Sequence, residues 1–341
     1  MTTSTTSPVV TGFEPMGSSF IDAENGWVLG ATGCQSCAGL EESTNGGTSW
    51  NALSAPPFPL GSYSTASDAV SDVYFANQED GFLYGPSLEV TLDGGHTWSH
   101  ADVPSASQVI GEDGYAFDLS QSEEATLWRT SIGSNTWSPV ALPASTGAFQ
   151  IAAQGGTIVL LRSGTQSGPT GPGALWKSTD AGLEWVSRTV PCLTTDGGAA
   201  LMSIALGHPD AWLLDCFNNE QSSQAQNTQH HLYGTSDAGQ HWVRLGDPPQ
   251  TGDPELLADN GSGHAFLATQ GGDQLDGTFD GGLQWSRLFA SGGVFFGWAD
   301  LQFVDASTGF VVGPTHYAPE HLYRTEDGGR TWTILEIPSS A

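Results

Sequence analysis

An octapeptide that recurs about every forty to fifty residues, strand-like segments in a fixed order before each copy, and abundant turn residues (45 Gly among 341 residues) predict one fold class. It is all-β: a seven-bladed β-propeller of four-stranded antiparallel blades.

The octapeptide is plain in six places: STNGGTSW (43–50), TLDGGHTW (91–98), STDAGLEW (178–185), TSDAGQHW (235–242), TFDGGLQW (278–285) and TEDGGRTW (325–332). The gap between the second and third copies is twice the usual, and TSIGSNTW (130–137) fills it with Ile132 in the Asp position. The tryptophans 50, 98, 137, 185, 242, 285 and 332 then follow at intervals of 48, 39, 48, 57, 43 and 47. Before each octapeptide comes an alternating strand such as DVYFAN (72–77) or ADLQFVD (299–305). A flatter strand follows, such as GWVLG (26–30), GFLYG (81–85) or GFVVG (309–313), and a third strand runs into the octapeptide. The blades are expected at 17–56, 69–104, 106–143, 147–191, 200–247, 254–290 and 294–338, within a single propeller of 17–341. Residues 1–16 are expected to form an N-terminal tether or, alternatively, a closing strand.

The pattern [ST]-x-D-x-G-x-x-W resembles the Asp-box, or BNR, repeat. With GWVLG…STNGGTSW and GFVVG…RTEDGGRTW the chain looks most like secreted BNR-like propellers related to photosystem II stability and assembly factors, over about residues 18–338. The resemblance implies that each hairpin joins the third strand to the fourth, away from the ligand-binding mouth. Asn45, Asp93, Asp180, Asp237, Asp280 and Asp327 are then structural, able to accept backbone N–H groups, while Trp50, Trp98, Trp137, Trp185, Trp242, Trp285 and Trp332 cover the turns. Ile132 cannot accept a hydrogen bond, so the third blade's turn is expected to be the least well held.

With those turns on one face, the opposite face gathers the second-to-third-strand loops and the links between blades. The longest such segments are 31–41, 163–175, 217–231 and 314–321 within blades, and 51–71, 189–200, 246–254 and 289–298 between them. Candidate ligand-face residues there are Tyr63, Asp215, Glu220, His230, Phe295, Phe296, Trp298, Asp300, His316, Tyr317 and Glu320. The aromatic residues suit sugar rings or apolar partners, or else plug the channel and pack between blades. The carboxylates, with Asp68 and Asp72, are a reservoir for acid–base chemistry or simply solvated loop acids. Cys34–Cys37 and Cys192–Cys216 are the local disulfide pairings, and a redox-active or zinc-binding Cys-x-x-Cys is the alternative.

Lys+Arg total 8 against 37 Asp+Glu, a net charge of −29. Such a chain lacks the basic face that nucleic acid or an anionic membrane requires. No stretch reaches the ~18 apolar residues of a membrane span. The balance fits an acidic extracellular setting, with high salt as the rival cause. A sialidase is disfavoured, because its inward arginine triad cannot be assembled: only Arg162 lies near the loop face. No catalytic residue, metal site or cofactor is identified. The expectation is therefore a monomeric binding or scaffold propeller, extracellular or at the cell surface and tethered through its N-terminus, that recognises a protein or glycan. The alternative is a carbohydrate-active hydrolase or lyase using loop-face carboxylates.

Overall fold

The computed structural model describes residues 12–54, 56–61, 66–104, 106–121, 124–164, 173–192, 199–217, 229–249, 252–270, 274–290, 298–313 and 321–338. Among the described residues there are seven four-stranded antiparallel sheets, each built from four consecutive strands. The innermost strands are Phe13–Phe20, Asp72–Phe75, Gln108–Glu112, Phe149–Gln154, Ala199–Ile204, Asp253–Asp259 and Ala299–Phe303. In every blade the octapeptide joins the third strand to the fourth. The first strand begins at Phe13, ahead of residue 17, and blade seven takes all four of its strands from Ala299–Leu335. No described strand is exchanged where blade seven meets blade one.

Second strands are buried on both sides because each blade is covered by two neighbours: Gly309–Gly313, for example, is buried throughout. In blades one, two and seven the inner strand ends in Phe20, Phe75 or Phe303, each paired across the sheet with a glycine, Gly26, Gly81 or Gly309. The ring lies over that glycine and leaves no room for a Cβ there. The octapeptide tryptophan of the same blade then meets the ring edge-on, at centroid distances of 6.4, 6.4 and 6.0 Å for Trp50, Trp98 and Trp332. On its other side the phenylalanine stacks on an aromatic of the preceding blade: Trp27 on Phe75, Phe266 on Phe303, and Phe310 on Phe20. The ring is thus closed between blades seven and one by the same stack that joins blades one and two.

The hairpins repeat one set of bonds. The Thr91 hydroxyl donates to Asp93 Oδ1 (2.8 Å) and accepts from Gly95 N–H (2.9 Å), while Asp93 Oδ1 accepts from Thr97 N–H (2.8 Å). Asn45 performs the same task with Ser43 and Ser49. Blade three replaces these bonds rather than leaving its turn open. Thr130 donates to Ser134 O, Gly133 N–H donates to Asp80 Oδ1 of blade two at 3.0 Å, and Ile132 packs inward against the core between those blades.

One expected loop is a strand. Residues 31–41 continue the second and third strands of blade one, Gly26–Thr32 and Cys34–Ser43, through a tight turn at Gly33 with φ of 72°. A left-handed glycine lets the chain reverse there without a longer loop. The link after blade one packs on this hairpin, with Leu60 N–H donating to Ser36 O at 3.1 Å.

Candidate functional site

Where blade one meets its two neighbours, three inner strands bring two carboxyl groups together. Asp72 opens the inner strand of blade two and pairs in register with Tyr84, whose hydroxyl donates to Asp72 Oδ2 at 2.7 Å. Asp72 Oδ1 accepts from Val73 N–H at 2.7 Å. Asp300 comes from blade seven at an irregularity in the pairing between Ala299 and Gln302, with φ of 50°, and accepts from Ser18 N–H at 2.5 Å. Gly17 of blade one lies between them, where a Cβ would stand 2.6 Å from Asp72 Oδ1 and 3.3 Å from Asp300 Oδ2. Glycine therefore permits the approach.

The carboxyls hydrogen-bond one another. Burial, partly offset by the Tyr84 and Val73 bonds, raises Asp72 to about 6. Asp300 is raised further, first by burial and then by the Asp72 charge. Tyr84 is held well above the usual phenol range by burial and by both carboxylates. Among the described residues no basic side chain acts on either acid. Two such groups share one proton, because both cannot ionise in contact. A glycosidase holds its carboxyls about 5–9.5 Å apart to admit a sugar carbon or a water. This pair is too close for that chemistry.

Asp300 also has a counterpart at other seams. Inner-strand side chains accept from a backbone N–H of the next blade: Ser19 from Phe75, Gln108 from Ile151, Gln150 from Met202 and Glu255 from Trp298, at 2.7–3.0 Å. These bonds cap amides left open at the channel edge of each sheet.

The other expected ligand-face residues are placed as follows. Asp215 and His230 are fully buried, with His230 Nδ1 2.7 Å from Asp215 Oδ2 and His230 Nε2 3.1 Å from Gly252 O, so the pair ties blade five to the following link. Trp298 is 6% exposed and packs against Phe289 and Tyr323 in the core between blades six and seven. Tyr63, Glu220, Phe295, Phe296, His316, Tyr317 and Glu320 lie outside the described residues. Asp72, weighed only as one loop acid among several, emerges as the partner of Asp300. Residues 228 apart in the chain carry no spacing signal, and only ring closure joins them.

Both disulfides form, Cys34–Cys37 at the tip of the blade-one hairpin and Cys192–Cys216 between the link after blade four and the second strand of blade five. They point to an oxidising, extracellular-type compartment. Among the described residues no helix is long and apolar enough to cross a membrane, and no group of three or more His, Cys, Asp or Glu side chains could hold a metal ion.

Most of the basic side chains sit away from the loop face. Arg129, Arg188 and Arg324 each donate to a carbonyl in the octapeptide turn of the next blade: Ala181 O, Ala238 O and Gly46 O. Lys177 pairs with Asp210, Arg244 with Asp247, and Arg287 with Asp276. Arg330, in the octapeptide turn of blade seven, lies over Phe279 in the octapeptide turn of blade six. Arg162, against Trp176, stands at a loop-face strand end, and Arg244 reaches toward that face through His231 and Asp247.

No protein-family model matches the chain, and no curated protein matches it by sequence. Solved structures do match in fold. A structure described as YCF48 bound to D1 peptide has a TM-score of 0.61 at 19% identity, covering 93% of this chain and 95% of its own. YCF48 from Cyanidioschyzon merolae gives 0.60 at 14% identity, with 94% and 97% covered. An ulvan lyase of polysaccharide lyase family PL25, bound to a GlcA(1-4)Rha3S repeat, gives 0.56 at 10% identity, with 96% and 97% covered. The chain is a seven-bladed propeller whose structural neighbours include both a peptide-binding protein and a carbohydrate-active enzyme.

Proposed function

We propose that this chain is an Asp-box propeller whose loop face recognises a neutral or basic protein segment, outside the cell or at its surface. The distribution of the eight basic side chains carries this reading. Arg162 and Arg244 reach the loop-face segments, Arg244 already paired with Asp247, and the other six sit in outer strands or at octapeptide turns, so that face has little positive charge with which to hold an anionic ligand. A uronate-bearing polysaccharide such as the one bound by the PL25 neighbour needs such charge. The contact between Asp72 and Asp300 removes that pair from service as the two carboxylates of a glycosidase. The peptide bound to YCF48 is a precedent for this role in a propeller of this architecture, and the two disulfides brace the same face. Tyr63, Phe295, Phe296 and Tyr317 are the proposed apolar contacts, and the residues ahead of Phe13 the proposed tether.

The test is a binding screen of the intact chain against peptides graded in charge and against neutral and uronate oligosaccharides, read by calorimetry. Neutral or basic peptides are expected to bind, more weakly as salt rises. Preferential capture of a uronate oligosaccharide, or release of reducing or unsaturated sugar ends, would overturn the reading.

A further inference from the structure

The seven blades can be superposed by register, because each second strand pairs with the first Ser or Thr of its octapeptide. Two residues beyond that pair, six blades present Val28, Leu83, Leu160, Leu214, Leu267 and Val311, all 0% exposed and turned toward the preceding blade. Blade three presents Asp118 there, equally 0% exposed, above an apolar wall that includes Phe82, Leu88 and Val90 of blade two.

Other buried acids between blades have a protein donor. Glu89 accepts from Ser87 Oγ at 2.6 Å, Asp276 from Arg287 Nε at 3.3 Å, and Asp215 lies 2.7 Å from His230 Nδ1. Neither oxygen of Asp118 has a partner among the described residues. The same face of the hairpin adds three more unmatched buried atoms, Ser120 Oγ, Thr126 Oγ1 and Trp128 Nε1. Cross-strand pairing of Asp118 with Trp128 and of Ser120 with Thr126 sets them side by side. Buried polar atoms are rarely left unmatched, and five at one junction call for a group from outside the chain.

We propose that the junction of blades two and three binds a small cluster of ordered water seated on Asp118, just beneath the loop face. The unmatched atoms comprise two carboxyl oxygens, two hydroxyls and one N–H, and water both donates and accepts. A hard cation would leave the Trp128 N–H without an acceptor. It would also need about six to eight oxygens, where these side chains supply one carboxyl and two hydroxyls. Aspartate is also smaller than the leucine or valine side chains that fill this position in the other blades, and its polar end suits a hydrogen-bonding guest. Burial raises the Asp118 carboxyl well above the ordinary carboxylate range, which disfavours the charged form a cation would require.

High-resolution diffraction from the intact chain, with and without millimolar calcium, tests this. Oxygen-sized density within hydrogen-bonding distance of Asp118 and of at least one of the three donors, unchanged by calcium, is expected. A dry junction, or density that gains an anomalous signal with calcium, would overturn the proposal. In solution, oxygen-17 relaxation dispersion counts long-lived internal waters. Asp118→Leu restores the residue class of the other six blades and is expected to lose at least one such water, while Asp118→Asn keeps it. Equal counts in all three proteins would sink the idea.

Discussion

Replacing Asp300 by asparagine tests whether the seam between blades seven, one and two is held by a shared proton. A carboxyl whose folded pKa lies above its unfolded value takes up a proton on folding. Its stabilisation is complete below the unfolded pKa and is lost as pH rises through the folded one. Asp72, raised from 3.8 to about 6, represents on the order of 3 kcal/mol lost between about pH 4 and pH 6. Asp300, raised further, extends the loss above that window. An asparagine side chain at this position keeps the shape and tolerates the left-handed φ of 50°. It can still accept from Ser18 N–H, and it donates an N–H to Asp72 without titrating. As pH rises from about 4, the Asp300→Asn variant is therefore expected to lose less stability than the wild type, so that the two curves close or cross. Urea unfolding followed by tryptophan fluorescence at each pH reads this directly. Parallel stability–pH curves would refute the shared proton.

Three further outcomes are expected. Changing Cys192 and Cys216 together to Ser releases a cross-link spanning a separation of 24 residues and should cost about 3 kcal/mol by chain entropy. The Cys34/Cys37 pair, at a separation of 3, should cost less, and chemical unfolding compares the two. Trp298→Ala should destabilise by about 3–5 kcal/mol, as for a core aromatic; a loss of peptide binding at unchanged stability would instead mark an exposed platform. Asp93→Ala removes its bonds to Thr91 and Thr97 and should cost about 1 kcal/mol in thermal melts, since the turn is exposed and water replaces part of what is lost.

The repeat made the fold legible. Trp137 revealed the third blade despite Ile132, because a missing unit doubles the spacing between neighbours. The disulfides were legible for a related reason: strand order placed all four cysteines on one face. Less legible was whatever register decides. Segment 31–41, with two Cys and two Gly, reads as a loop, yet one left-handed glycine lets it continue a hairpin. His230 reads as a loop residue, but pairing with Phe217 draws it into the sheet and onto Asp215. Asp118 is one acid among 37 Asp and Glu until alignment by strand pairing shows leucine or valine in its place elsewhere. Asp72 and Asp300 could be joined only by closing the ring.

These acids divide into two populations with opposite pH behaviour, and the division follows from where each sits. Octapeptide aspartates are exposed and accept several N–H and O–H bonds, which lower Asp93 to about 2 and depress Asp180, Asp280 and Asp327 below the ordinary range. Their contribution is present above about pH 4 and disappears as pH falls through the lowered values. Asp72, Asp300 and Asp118 lie between blades, where burial outweighs the few donors, and they stabilise the fold while protonated. Below about pH 4 the turns loosen; above about pH 6 the seams acquire charge they cannot solvate. The two limits are expected to leave a mildly acidic optimum of stability, which urea unfolding across pH checks, set by turn geometry on one side and by inter-blade burial on the other. Net charge adds to the upper limit alone, because a chain carrying −29 at pH 7 repels itself more strongly as its remaining carboxyls ionise.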